Sequence, residues 1–133
     1  MARRRINARS IASAFLVVWL GSAGCNSSSS DVRQAAQRAV SWAATTAMVG
    51  EAWRAGQVPD RYATRTLAAT RAEVQKAIRR GPATLTPSLH RLADAVGGVE
   101  DAVTRGDRAA MPTRLRAVES VKDAVARSAK TGS

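Results

Sequence analysis

The feature that most restricts the fold is a stripe of apolar residues late in the chain: Leu89, Leu92, Val96, Val99 and Val103, separated by alternating steps of three and four. Such steps bring side chains back to one side of an α-helix, which repeats about every 3.6 residues, and scatter them over both faces of a strand. Thr86-Pro87 marks the start of this helix, with a hydroxyl able to cap the first turn and a proline at the first helical position. Gly106-Asp107 breaks it and starts the next segment, which carries Met111, Leu115, Val118, Val121 and Val125 and frays by Lys130. Pro112 lies too deep for a first-turn proline if Asp107 is the cap, so this helix either kinks there or begins there.

Two earlier segments follow the same rule. Ala63, Leu67, Thr70, Val74 and Ala77 share one face of a helix expected over residues 61–80, opened by Pro59-Asp60 and stopped by Gly81-Pro82. Ala35, Ala39, Trp42, Val49 and Trp53 share one face of a helix expected over residues 32–55, capped by Asp31 and ended by Gly56. Ala, Arg, Glu and Gln dominate and strand formers are scarce. Four helices of similar length with short connections predict an all-α antiparallel four-helix bundle over residues 32–133. Its core is thin. Beyond the first 24 residues Trp42, Trp53 and Tyr62 are the aromatic side chains, and alanine is the main apolar residue, so the helices must approach closely. Gly97-Gly98 falls in mid-helix at a cost of about 1 kcal/mol per glycine relative to alanine, which marks a close helix contact, a kink or a ligand cleft.

The N-terminus has a different character. Arg3, Arg4, Arg5 and Arg9 precede ten uncharged, mostly apolar residues, 11–20, and then Gly21, Ser22, Ala23, Gly24 and Cys25. A basic segment, a short apolar run and small residues form the layout of a secretory signal peptide over residues 1–24. The apolar run is too short to cross a bilayer, which takes about 20 residues. Ser22-Ala23-Gly24-Cys25 resembles the lipobox at which bacterial lipoproteins are processed. Ala23 and Gly24 fit that pattern; Ser22 stands where the family prefers leucine. The resemblance implies that the thiol of Cys25 receives a diacylglyceryl group, that the chain is cut before it, and that the new amine is acylated. Residues 25–31, the lipidated cysteine and a Ser-rich stretch, then form a flexible tether. In that family an Asn26 in place of aspartate implies the outer membrane where a cell has two. The alternative is ordinary secretion, which leaves an unpaired thiol on an exported protein.

Little else in the chain points to chemistry. His90 is the only histidine and has no second histidine to complete a metal site, and Cys-x-x-Cys-His, needed for attached haem, is absent. Glu100-Asp101 and the scattered Glu51, Glu73 and Glu119 lack the Glu-x-x-His pattern of di-iron bundles and read as solvated partners for arginines. No catalytic, metal or cofactor site is therefore expected, and an enzyme or enzyme subunit is the least favoured reading. Past the signal segment, 17 basic and 10 acidic residues leave a balance of +7, nearly all from arginine. Export and the lack of a recognition motif argue against nucleic acid, leaving an envelope protein, an anionic polymer or lipid headgroups as counterparts. Trp42 and Trp53, eleven residues apart, share a helix face and are either core bulk or a contact for a partner. The sequence thus reads as a non-catalytic, lipid-anchored envelope lipoprotein facing the periplasm, attached to the membrane through covalent lipid. The alternative is a soluble secreted or periplasmic ligand-binding bundle.

Overall fold

The computed structural model describes residues 27–131, which form four α-helices, α1 (Ser27–Arg54), α2 (Asp60–Arg80), α3 (Thr86–Arg105) and α4 (Met111–Thr131). Short 3-10 turns at Ala83–Leu85 and Arg108–Ala110 lead into α3 and α4. The expected signal segment, Ser22, Ala23, Gly24 and Cys25 lie outside the described residues.

Each helix packs against its neighbours in the chain, and α1 against α4 closes the ring; α1 also meets α3 across the middle. The end of α1 meets the starts of α2 and α4, because Trp53 touches Asp60 and Arg108. The start of α1 meets the end of α4, where Arg33, Ala36, Ala126 and Ala129 line one groove. The helices therefore run up, down, up and down: an all-α antiparallel four-helix bundle. We call the end that holds the start of α1 proximal and the opposite end distal.

The periodic stripes lie inward as expected on α2, α3 and α4, and on α1 at Ala39, Val49 and Trp53. Ala63, Leu67, Thr70 and Val74 of α2 are buried, as are Leu89, Leu92, Val96, Val99 and Val103 of α3, and Met111, Leu115, Val118 and Val125 of α4. Ala77 and Val121 are half-buried at the margin of the core. On α1 the inward stripe is Ala36, Ala39, Ala43, Thr46, Gly50 and Trp53, while Ala35 and Trp42 stand half-buried beside it. That stripe keeps the three-four alternation but is made of small residues. Gly50 shows why. A Cβ there would stand 2.8 Å from Cδ2 of Leu115, 3.1 Å from Sδ of Met111 and 3.3 Å from Cγ1 of Val99. Thr46 is tolerated inside because its hydroxyl donates to the Trp42 carbonyl at 2.8 Å.

Local expectations are corrected at several points. α1 begins at Ser27, so Ser27–Ser30 continue the helix instead of forming a coil, and Asp31 lies within it instead of capping it. Extending an existing helix adds one hydrogen bond per residue ordered, whereas starting one is costly, so a formed α1 carries poor helix formers with it. Thr86 does not cap α3 through its hydroxyl; its backbone N–H donates to the Ala83 carbonyl, and the 3-10 turn delivers the chain with Leu85 already buried. Of the two outcomes expected at Pro112 the second holds: α4 begins there, at Met111. Asp107 caps the preceding 3-10 turn by accepting from the Ala110 N–H at 3.1 Å.

Candidate functional site

Trp53 organises the distal end. Its side chain is 1% exposed, and its indole N–H donates to Oδ1 of Asp60 at 2.7 Å. The Arg108 guanidinium lies 4.5 Å from the centre of the indole ring. Nη1 of Arg108 donates to the carbonyl of Trp53 and, at 3.2 Å, to that of Arg54. A cation thus covers the aromatic face and also serves carbonyls at the end of α1 that have no partner within the helix. Gly56, at φ 75°, turns the chain out of α1, and Gly106, at φ 67°, does the same for α3. Both distal connections thus use the left-handed conformation that glycine adopts without a steric penalty.

This arrangement bears out the reading of Trp53 as core bulk and corrects the alternative of a partner contact. The ring is enclosed, and its polar atom is satisfied within the chain. Trp42 does share the inward side of α1, but it packs half-buried against the core margin and keeps part of its surface outside. The large apolar side chains that stand most exposed are Met48, at 65%, and Tyr62, at 53%. Neither stood out in the sequence, because isolated apolar residues on a helix carry no pattern.

Gly97-Gly98 does not break α3. A Cβ at Gly97 would lie 3.8 Å from Cζ of Arg71, and one at Gly98 would lie 3.3 Å from Cδ of Arg114. The glycines give room to arginine stems from α2 on one flank and α4 on the other. Beside Gly97 a polar groove runs between α2 and α3, lined by Arg71, Gln75, Asp94, Glu100 and Thr104. Nη1 of Arg71 stands 3.7 Å from Oε2 of Glu100, an ion pair without a hydrogen bond at that oxygen. Of the three readings of this pair, the close helix contact is the one the glycines show, since they make room for arginine side chains, and the groove beside them is open and charged. His90 is exposed on α3. Among the described residues no group of three or more His, Cys, Asp or Glu side chains is placed to hold a metal ion, and no helix is long and apolar enough to cross a membrane.

Charge divides the bundle more sharply than shape does. The proximal turns, residues 27–38, 77–91 and 126–131, hold seven bases (Arg33, Arg38, Arg79, Arg80, Arg91, Arg127, Lys130) and one acid, Asp31. The distal turns, residues 48–66 and 101–116, also hold seven bases, but with four acids, Glu51, Asp60, Asp101 and Asp107. Distal Arg54 pairs with Glu51 at 3.3 Å and Arg105 with Asp101 at 3.0 Å. The six proximal arginines are all exposed and have no carboxylate within 4.0 Å among the described residues. Further from the proximal tip, Lys122 donates to Glu119 at 3.0 Å, and that hydrogen bond holds its ammonium above the ordinary lysine range. The folded-state value is raised, so this small surface contribution is present at neutral pH and is lost as pH rises through it.

Two open grooves lie at the same proximal end. One, between α1 and α4, is floored by Ala36, Val40, Ala126 and Ala129 with Arg33 at its side. The other places Asp31, Arg38 and Arg80 around Pro82 and the turn into α3. The chain matches no family model, no curated protein and no solved structure.

Proposed function

We propose that this chain is a bacterial envelope lipoprotein, anchored through lipid on Cys25 and facing the periplasm, whose small helical bundle is non-catalytic. It offers a basic surface and the exposed part of Trp42 to an envelope partner, either a protein or an anionic polymer. The observation that carries this reading is the sequence order of four arginines, ten mostly apolar residues, Ser22-Ala23-Gly24 and the chain's single cysteine. An unpaired exported thiol is reactive, and acylation gives it a purpose and removes the reactivity. Two or three acyl chains hold a protein stably to one leaflet, at about 0.8 kcal/mol for each buried methylene. Asn26 favours the outer membrane if the cell has two.

Mass spectrometry of the mature N-terminus tests the anchor, with an acylated Cys25 as the expected first residue. Radiolabelled palmitate should enter the wild type, and Cys25→Ala should abolish both labelling and membrane residence. Unlabelled protein whose location is indifferent to Cys25→Ala would overturn the reading. A soluble secreted or periplasmic ligand-binding bundle is the second reading. It draws on the charged groove between α2 and α3, and an N-terminus free of lipid would favour it.

A further inference from the structure

We infer that the proximal end of the bundle is a docking face for an anionic lipid surface, with Arg33, Arg38, Arg79, Arg80, Arg91 and Arg127 directed at headgroup phosphates. The inference rests on the lipid anchor proposed above and adds the orientation of the domain on the membrane. Charge is the first argument. Seven bases face one acid at this end, and its six arginines are exposed with no carboxylate partner among the described residues. The distal end, with an equal number of bases, has its acids interleaved with them. Arginine presents a planar fork of donors that matches phosphate oxygens, so an acid-poor arginine cluster suits a dense array of phosphates.

Position is the second argument. α1 starts at Ser27, two positions after Cys25. A chain spans at most about 3.6 Å per residue, so the helix start stands within about 7 Å of the cysteine along the backbone. An acyl-bearing Cys25 therefore brings the first turn of α1 to the headgroup layer. At about 1.5 Å per residue Arg33 stands about 9 Å and Arg38 about 16 Å beyond Ser27, so the long arginine side chains must reach down, or the bundle axis tilt, for their charges to come within the screening length of about 8 Å. The α1–α4 groove floored by Ala36, Val40, Ala126 and Ala129 lies at this end too. The distal end, with Tyr62 and Asp60, then points away from the membrane.

The test inserts the protein purified from membranes into the outer leaflet of preformed vesicles, made either of phosphatidylcholine alone or with one third phosphatidylglycerol. Phenylglyoxal modification of each arginine is followed by peptide mass spectrometry. The expected result is that Arg79, Arg80 and Arg127 react about fivefold more slowly on anionic than on zwitterionic vesicles, the factor corresponding to the usual contribution of one basic side chain near such a surface. Arg61, Arg65 and Arg114 should react equally on both. Arg79→Gln with Arg80→Gln should reduce the protection of Arg127, while helicity in solution stays unchanged. Equal reactivity of proximal and distal arginines on both vesicles would overturn the inference. The N-terminal peptide from the same digest reports whether Cys25 is acylated, which separates this outcome from failure of the anchor. If Cys25 is free, the protein is simply mixed with the vesicles. Selective protection by phosphatidylglycerol would still support the docking face, and its absence would reject it.

Discussion

The two ends of the bundle carry equal numbers of basic side chains in their outer turns, but the distal end sets four acids among its seven bases and the proximal end one. The distal end also encloses the indole of Trp53, hydrogen-bonded to Asp60 and covered by Arg108. The proximal stretch of the α1 stripe is Ala36, Ala39 and Ala43. The core runs the length of the bundle, with Val74, Leu85, Leu89, Leu92 and Val125 buried towards the proximal end, but the buried aromatic ring and its hydrogen-bonded partners lie where the last turn of α1 meets the starts of α2 and α4. An end registered in this way needs nothing from outside the chain. The proximal end leaves its arginines to interact with whatever lies next to it.

Substitutions can break this comparison or sharpen it. The largest effect is expected from Trp53→Ala, which empties the biggest buried site and should cost about 3–5 kcal/mol in urea unfolding. Trp42→Ala, at the half-buried position, should cost clearly less, and equal losses would show that enclosure at the distal end is not what matters. Next comes Gly50→Ala. Its new Cβ would press on side-chain atoms of Leu115, Met111 and Val99; overpacking of this kind costs about 1–3 kcal/mol, set against about 1 kcal/mol gained from alanine's helix propensity, so a net loss of up to about 2 kcal/mol is expected. Arg108→Gln removes the cation over the ring and the charge at the end of α1, a loss of about 1–2 kcal/mol. On a Trp42→Phe background it should also change the fluorescence of Trp53, which separates a lost lid from a general loss of stability.

Gly97→Ala should act in the opposite direction, raising stability by up to about 1 kcal/mol, because a Cβ there meets Arg71 only at ordinary contact distance and alanine is the better helix former. Opposite signs at Gly50 and Gly97 would show that one glycine is required by packing and the other is not. The smallest effect is expected at the proximal tip. Arg79→Gln with Arg80→Gln should shift stability by less than about 0.5 kcal/mol, as exposed positions without partners do. A loss comparable to that of Arg108→Gln would mean that the proximal charges serve the fold.

Fold class was legible in the sequence because helical periodicity and helix punctuation are local. Leu89, Leu92, Val96, Val99 and Val103 announce a buried face without reference to any other segment, and Gly106 and Gly81-Pro82 mark breaks by their own backbone chemistry. The same reasoning read only part of α1: Ala39, Val49 and Trp53 are buried as expected, while Ala35 and Trp42 stand half-buried and Ala36, Ala43, Thr46 and Gly50 went unnoticed. A stripe of alanine, threonine and glycine offers little contrast with the alanines on its other sides, so hydropathy does not single it out. The step pattern of Ala36, Ala39, Ala43, Thr46 and Gly50 leading to Trp53 was the available signal, visible once size and not apolarity is counted.

By itself the sequence determined four helices, their approximate limits and the inward faces of α2, α3 and α4, because each depends on residues within a few turns of one another. Tertiary structure alone decided that Ala36, Ala43 and Thr46 join Ala39, Val49 and Trp53 on the inward side of α1, that Gly50 lies against Leu115, Met111 and Val99, and that Trp53 is enclosed by Asp60 and Arg108, the latter 55 residues away. It also decided that the bases without acids gather at one end. Such outcomes depend on how close separate helices come, and that distance is set by the summed packing of all four.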